Sequence, residues 1–564
     1  MSNFTTTFQN RFNNYQNMKK ITLFASAIIL LSIFASAATR SKKSEIARNL
    51  DIFNTIYKEL QTFYVDSIDA EKSINTAITA MLNDIDPYTE YFPADEQEQF
   101  RTMTTGEYGG IGSMIQESAR GVMISEPYEG SPAHLAGLRP GDLIVMIDSD
   151  SVLGWKSDKV SERLKGPNGT MLRVVVNRPY VEDSILTFDI KRAKIQIPSV
   201  PYAGMLRDGV GYIRLTTFSE KSYPEVREAL ERLLKDGAKG IILDLRGNGG
   251  GLVESAVQIL GLFLPKGTTV LSTRGKGVLN EKVYKTSVQP LDTKIPLAVL
   301  IDGASASASE IVTGAVQDLD RGVVIGNRSF GKGLVQSTRQ IPYDGLLKVT
   351  IAKYYIPSGR LIQAIDYSHR NPDGSVARIP DSLTTVFHTA GGREVRDGGG
   401  ITPDVKIEYP DVNRLTYNIV RDNWAFDFAN RYAAAHQSIP SPEEFEITDT
   451  IYEEFKRSID PARLNYDKVC ESAVDQLREL AEAEGYMNDS TKAQFDILAG
   501  MLRHDLNHDL DINRKNISPY LAGEIVSRYY HQKGEIINSL RDDRTVDSAM
   551  TILTSPRYAE ILKK

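Results

Sequence analysis

A chain of 564 residues, with 41% hydrophobic and 25% charged side chains, has the make-up of ordinary globular protein and the length of three or four domains. Its net charge of -7 at pH 7, with no block rich in lysine or arginine, argues against nucleic acid as a partner. The single cysteine, Cys470, excludes an intrachain disulfide and a cysteine-based zinc site, and is expected to be a buried free thiol.

Near the N-terminus, Lys19 and Lys20 precede an apolar run of 18 residues, 21–38, which ends in Ala35-Ser36-Ala37. A positive flank, an apolar stretch and an A-x-A-like site predict a signal peptide over 1–38; a run this short is also just long enough for an uncleaved membrane anchor. Met18 before the two lysines would be a normal start, which makes the first 17 residues an upstream extension. The expected location is periplasmic, free or anchored to the inner membrane through 21–38.

Residues 39–106 read as a helical region. Ile46, Leu50, Phe53, Tyr57 and Leu60 recur at helical spacing, as do Ile74, Ile78, Met81 and Ile85. The phrase DIDPYTEYFPADEQEQF, 84–100, breaks at its two prolines and restarts as a helix.

From 107 to 195 the pattern changes to short strands and glycine turns: YGGIGSMIQ, then GVMISEPYEGSPAHLAGLRPGDLIVMID, then LRVVVNR. This resembles a PDZ domain. Backbone N–H groups of Gly109, Gly110, Ile111 and Gly112 would then form a nest for a terminal carboxylate, beside a sheet edge able to pair with a peptide tail. The expected side walls are Ile111 and, from a helix over 157–165, Val160 and Leu164.

Residues 196–409 alternate strands and helices. GVGYIRLTTF is strand-like, 224–235 is helical, and the continuous apolar run IILDL, 241–245, suits a strand covered on both faces. DLRGNGGG follows and enters a helix over 252–263; GxGxxG is absent and no phosphate-binding lysine follows, so a nucleotide loop is not expected. Asp244 and Arg246 read as residues that fix this loop.

The segment 297–336 carries the chemistry. An apolar strand over 297–301 runs through small residues into an amphipathic helix over 310–318, which places Ser305, Ser307 or Ser309 at a strand-to-helix corner beside free N–H groups. A serine nucleophile needs a base, and none of the seven histidines lies here. Lys332, between two glycines in FGKG, is the better candidate, with Gln336 four residues on to orient its amine. At the ordinary lysine value only about one amine in 2,500 is neutral at pH 7, so burial must disfavour the ammonium by roughly 4 kcal/mol. The neighbours Phe330, Leu334 and Val335 are apolar and bring no carboxylate.

SASASE followed by FGKG and VQ at this spacing resembles the carboxy-terminal processing (tail-specific) protease family, PDZ-containing serine endopeptidases with a Ser-Lys dyad assisted by a glutamine. The resemblance, covering roughly 45–409, also takes in the Asp86-Pro87-Tyr88 phrase, LLKVTIAKYYIPSGR and GGGITPDV. It implies that Ser307 is the nucleophile, Lys332 the general base and Gln336 the orienting residue, and that the N–H of Ala308 acts with Gly249 or Gly250 on the oxyanion. The family often has an arginine before the GPNGT-like turn, where this chain has Lys165.

Residues 410–564 form a helical extension, a candidate for homodimer formation or docking. Ser441-Pro442-Glu443-Glu444 reads as a capping box, Val469, Ala473, Leu477 and Leu480 as an apolar stripe, and Ser518-Pro519 as a helix start. His504 and His508 near Asp505, Asp509 and Asp511 could hold a metal, but HExxH is missing; no metal and no cofactor are expected. The sequence thus predicts an α+β multidomain chain: helical N-terminal region, PDZ domain, mixed α/β protease core and helical C-terminal part. It is expected to cleave protein or peptide substrates held by their free C-terminus. The rival is a PDZ scaffold that binds C-termini without cutting.

Overall fold

The computed structural model describes residues 44–563, apart from 277–280, 372–374, 410–411, 465 and 467. The expected signal or anchor segment 21–38 lies outside these residues, and no described helix is long and apolar enough to cross a membrane. The chain divides between Asp84 and Ile85 into two compact units.

The first unit is a helical hairpin of 44–63 and the helix Ala70–Ile85, whose last residue marks the boundary. Asp69 Oδ1 caps the second helix by accepting from Lys72 N at 3.0 Å, and the Tyr57 hydroxyl donates to Ala70 O. The helical spacing of Ile46, Leu50, Phe53 and Leu60 is present, yet all four are exposed.

In the second unit the catalytic region is built on a six-stranded sheet in the order Tyr202–Met205, Val210–Arg214, Gly240–Asp244, Leu297–Ile301, Val323–Gly326 and Val405–Lys406. Its first pair is antiparallel and the rest are parallel. Period-two alternation sorts the side chains. Ile241, Leu243, Leu297 and Val299 meet helices Ser222–Lys235, Val253–Phe263 and Ala308–Asp318 on one face; Ile242, Ala298, Leu300 and Ile325 point to the other. That second face is covered by helix Arg544–Leu553 through Val546, Ala549, Met550 and Ile552 and by Arg557–Lys563 through Tyr558, Ile561 and Leu562. The last part of the expected extension is therefore a layer of the protease core.

A second, mostly antiparallel sheet carries the rest of the site. Strand Gly345–Tyr355 pairs with Leu334–Ile341, Thr269–Gly275 and Glu90–Phe92. Just before Glu90, Asp86 Oδ1 accepts from the N–H groups of Tyr88 and Thr89, both at 2.8 Å, which fixes a tight turn.

The PDZ-like sheet runs in the order Ser113–Ser118, Gly121–Pro127, Leu143–Ile147, Met171–Asn177 and Ile185–Lys191, leaving Ser113–Ser118 at an edge beside helix Ser157–Leu164. A ribbon of Glu107–Gly110 with Ala193–Gln196 joins it to the core. Of the remaining C-terminal helices, Arg414–Arg421, Trp424–Ala435, Asp449–Ser458, Leu506–Ile512 and Arg514–Ser539 share their own apolar cluster. Here the structure corrects three expectations. Residues 441–444 form a turn and start no helix, Pro519 lies inside Arg514–Ser539, and Cys470 is exposed. His504 Nδ1 lies 3.3 Å from Glu471, and among the described residues no group of side chains is placed to hold a metal.

Candidate active site

The turn after strand Leu297–Ile301 separates the three serines. Ser305 is fully buried, its hydroxyl donating to Leu245 O at 2.8 Å; Ser309 is fully buried, donating to Asn248 O at 2.8 Å. Ser307 is half-buried and stands at the N-terminus of helix Ala308–Asp318 with φ 56° and ψ -113°. A serine at such dihedrals stores about 1–3 kcal/mol of strain, tolerated where the surroundings over-determine it. The helix itself is buried along its whole length, not amphipathic as expected, since it sits between the sheet and the second layer.

The surroundings that fix Ser307 centre on two side chains. Asn248, fully buried in the glycine loop, accepts from Ala306 N through its carbonyl at 3.0 Å, donates from Nδ2 to Leu215 O, and accepts from Gly250 N at Oδ1 at 2.9 Å. Glu310, also fully buried, takes Ser307 N and Lys332 N on Oε2, both at 2.9 Å, and Ser329 Oγ and Gly331 N on Oε1 at 2.5 and 2.7 Å. One carboxylate thus ties the backbone of the serine to that of the lysine. Burial pushes it up to about 7, against the pull of those four donors. Tyr354 repeats the tie from the other side: its hydroxyl donates to Lys332 O at 2.6 Å and reaches Ser307 O at 3.2 Å.

Lys332 lies just ahead of strand Leu334–Ile341. Burial, with the nearby Lys348, pushes its amine down to about 8, where about one in ten is neutral at pH 7. The sequence neighbours bring no carboxylate, but the fold brings Glu90, Asp86 and Glu310 close enough to pull the other way, and burial still wins. A bulge between Val335 and Gln336 turns the strand, and Gln336 Nε2 donates to Thr350 Oγ1 at 3.1 Å, so its carbonyl is the end able to accept from an amine.

The glycine loop faces this corner. A Cβ on Gly250 would stand 2.8 Å from the Ser307 Cβ and 3.0 Å from Ala308 N, so only glycine allows the approach. Its N–H is committed to Asn248, which corrects the expectation that Gly250 could serve as a donor to substrate. Gly249 has open space around it. Asp302 Oδ1 holds Gly247 N, Ala304 N and Ser305 N, pinning the two turns together. Behind the loop, burial raises Asp244, but Arg246 and Arg214 hold it down at about 2; Arg246 also pairs with Asp543 at 2.7 Å.

In the PDZ-like domain, Ile111 and Leu164 line a cavity of about 30 Å³ together with Tyr108, Ile115 and Lys165. Two expectations are corrected. Gly109 and Gly110 are strand residues paired with Lys194 and Ala193, which leaves Ile111 and Gly112 as the turn; Val160 is fully buried in the domain's own core, behind the wall.

A family model described as Peptidase family S41 matches residues 209–376, one described as PDZ domain matches 123–178, and one described as Probable PDZ-protease, C-terminal helical domain, matches 415–553. The chain is 34% identical to the carboxy-terminal-processing protease of Bartonella bacilliformis, across 67% of this chain and 88% of that protein. The chain belongs to the carboxy-terminal-processing protease family. A probable CtpA-like serine protease of Staphylococcus haemolyticus is 30% identical across 80% of this chain and 89% of its own. Among solved structures, the photosystem II D1 C-terminal processing protease is 26% identical over 63% of this chain and 86% of that one, with a TM-score of 0.35.

This S41 peptidase is a serine-type enzyme with a PDZ domain, as the sequence predicts. Sequence reasoning missed Asn248, Glu310, Tyr354 and Tyr88, whose ring centroid lies 4.2 Å from Lys332 Nζ. For Glu310 a signal was present: Ser307 and Glu310 stand at the S-x-x-E spacing of a helix start.

Proposed function

We propose that the peptidase cleaves peptide bonds with a Ser307–Lys332 dyad, on protein substrates presented by their free C-terminus to the PDZ domain, after export directed by 21–38. The observation that carries this reading is the joint hold of Glu310 on Ser307 N and Lys332 N, with the amine of Lys332 brought down to about 8. Neutral Lys332 takes the proton of Ser307 Oγ as the oxygen attacks the scissile carbonyl carbon. The oxyanion is received by the N–H of Ala308, which has no intrahelical partner at the first turn, and by that of Gly249. The ammonium then protonates the leaving amine, the ester remains on Ser307, and Lys332 next deprotonates the water that hydrolyses it. The Gln336 carbonyl steadies the amine between these steps. Support for tail capture comes from the unpaired edge Ser113–Ser118 beside the Ile111 and Leu164 wall.

The test is digestion of an unfolded protein ending in small apolar residues. Wild type is expected to cleave it; Ser307→Ala and Lys332→Ala are expected to be inactive, and amidation of the substrate's C-terminus to slow cleavage at least tenfold. Activity retained by Lys332→Ala would sink the dyad, and indifference to amidation would sink tail capture.

A further inference from the structure

Tyr88 reaches the active site from a segment more than 200 residues ahead of Ser307. Its ring centroid lies 4.2 Å from Lys332 Nζ, so the amine stands over the aromatic face. The residue is fixed at its backbone by Asp86 and at its ring by Tyr367. Asp86 fixes the turn by accepting from Tyr88 N, the Tyr88 hydroxyl is 3.2 Å from that of Tyr367, and the two rings meet edge to face at 5.8 Å. The neighbouring Thr89 Oγ1 accepts from Thr350 N at 3.2 Å, while Thr350 Oγ1 accepts from Gln336 Nε2. A single turn therefore touches both the base and the partner of its orienting glutamine.

An aromatic face does two things to an amine. As a hydrocarbon surface it excludes water, which disfavours the ammonium; through its quadrupole it attracts the ammonium once formed. Both are useful to a base that starts neutral and must carry a proton while the serine attacks. We propose that Tyr88 is a positioning residue for the general base, a dry aromatic floor whose exclusion of water favours the neutral amine of Lys332 and whose face steadies its ammonium during acyl transfer. This rests on the Ser307–Lys332 reading. The other charged groups around the amine are Asp86 and Glu90 from the same turn, Lys348 from strand Gly345–Tyr355, and Glu310 from the helix; Lys348 is itself paired with Glu90. Burial, then Tyr367, pushes the Tyr88 phenol well above its usual value, so it stays uncharged while the lysine titrates.

The experiment is the pH dependence of kcat/KM on an unstructured peptide, for wild type and Tyr88→Phe, Tyr88→Leu and Tyr88→Ala, beside Ser307→Ala and Lys332→Ala. The position of the acid limb is read from active enzyme only, so a poorly folding fraction does not move it. Phenylalanine keeps the face, and its limb is expected within about 0.3 pH unit of wild type. Leucine keeps an apolar cover but loses the quadrupole, so its limb should fall by about 0.5–1 pH unit. Alanine admits water, so its limb should rise by about 1 pH unit and its activity at pH 7 drop about tenfold. Leucine and alanine limbs that stay in place or move the same way overturn the proposal, as does a phenylalanine limb displaced as far as that of leucine. Activity in Lys332→Ala would defeat the dyad itself, whereas an inactive Lys332→Ala with unmoved Tyr88 limbs defeats only the role of Tyr88.

Discussion

The property that suits Lys332 to the proposed dyad is one that weakens the fold. Its amine, pushed down to about 8 by burial, is charged in both folded and unfolded chains at neutral pH but loses water only in the folded one. Because the folded value is depressed, the penalty is complete below about pH 8 and fades as pH rises towards the unfolded value near 10.4. Lys332→Met is thus expected to be inactive yet more stable at pH 7, by on the order of 1–3 kcal/mol in urea unfolding, with the gain vanishing by about pH 10.5. In the proposed dyad the neutral amine is the working form, so kcat/KM should climb about tenfold per pH unit below a limb near 8; a limb near 6 would point to another base. The sequence makes Lys332 conspicuous through its flanking glycines, but not the carboxylates that oppose its neutrality: Asp86 and Glu90 arrive from a segment more than 200 residues away, and the S-x-x-E spacing of Glu310 marks a helix start without showing that it turns towards the lysine.

At the scale of elements, the site is the seam between two strand-to-helix turns. The glycines of 247–251 and the serines of 305–309 are legible as a loop and a corner, yet which serine faces outward is decided by hydrogen bonds to Leu245 and Asn248 that no spacing encodes. Asn248 reads as one more polar residue among glycines until its five-way enclosure is seen in three dimensions. Gly250→Ala places a methyl group 2.8 Å from both Ala306 O and the Ser307 Cβ, at φ 104°, so activity should fall at least a hundredfold while the chain remains folded by circular dichroism. Glu310→Gln keeps one acceptor oxygen where four donors now share two; the orphaned donors should lower stability by about 2–4 kcal/mol in thermal or urea unfolding.

Over the whole molecule, the order of helical region, PDZ domain and α/β core is legible because each carries its own period: helical spacing, then short strands with glycine turns, then apolar runs of buried parallel strands. The place of the final helices is not, since an amphipathic stripe such as Val546, Met550 and Leu553 looks alike whatever layer it covers. Here it covers the second face of the catalytic sheet. Burial of Val546, Met550, Ile552 and Leu553 at about 1.5–3 kcal/mol each is comparable to the roughly 5–15 kcal/mol that holds an ordinary domain together. Ending the chain before Asp543 should therefore yield aggregated protein, or soluble protein that binds an apolar dye and unfolds without cooperativity. The same arrangement sets a timetable for synthesis. Ser307 and Lys332 leave the ribosome well before Arg544–Leu553, and the sheet beneath them has one bare face until those helices dock. A half-made chain carries Ser307, Lys332 and the side chains that tie them together on a sheet with one face still open to water, so a settled site waits on the last helices to dock.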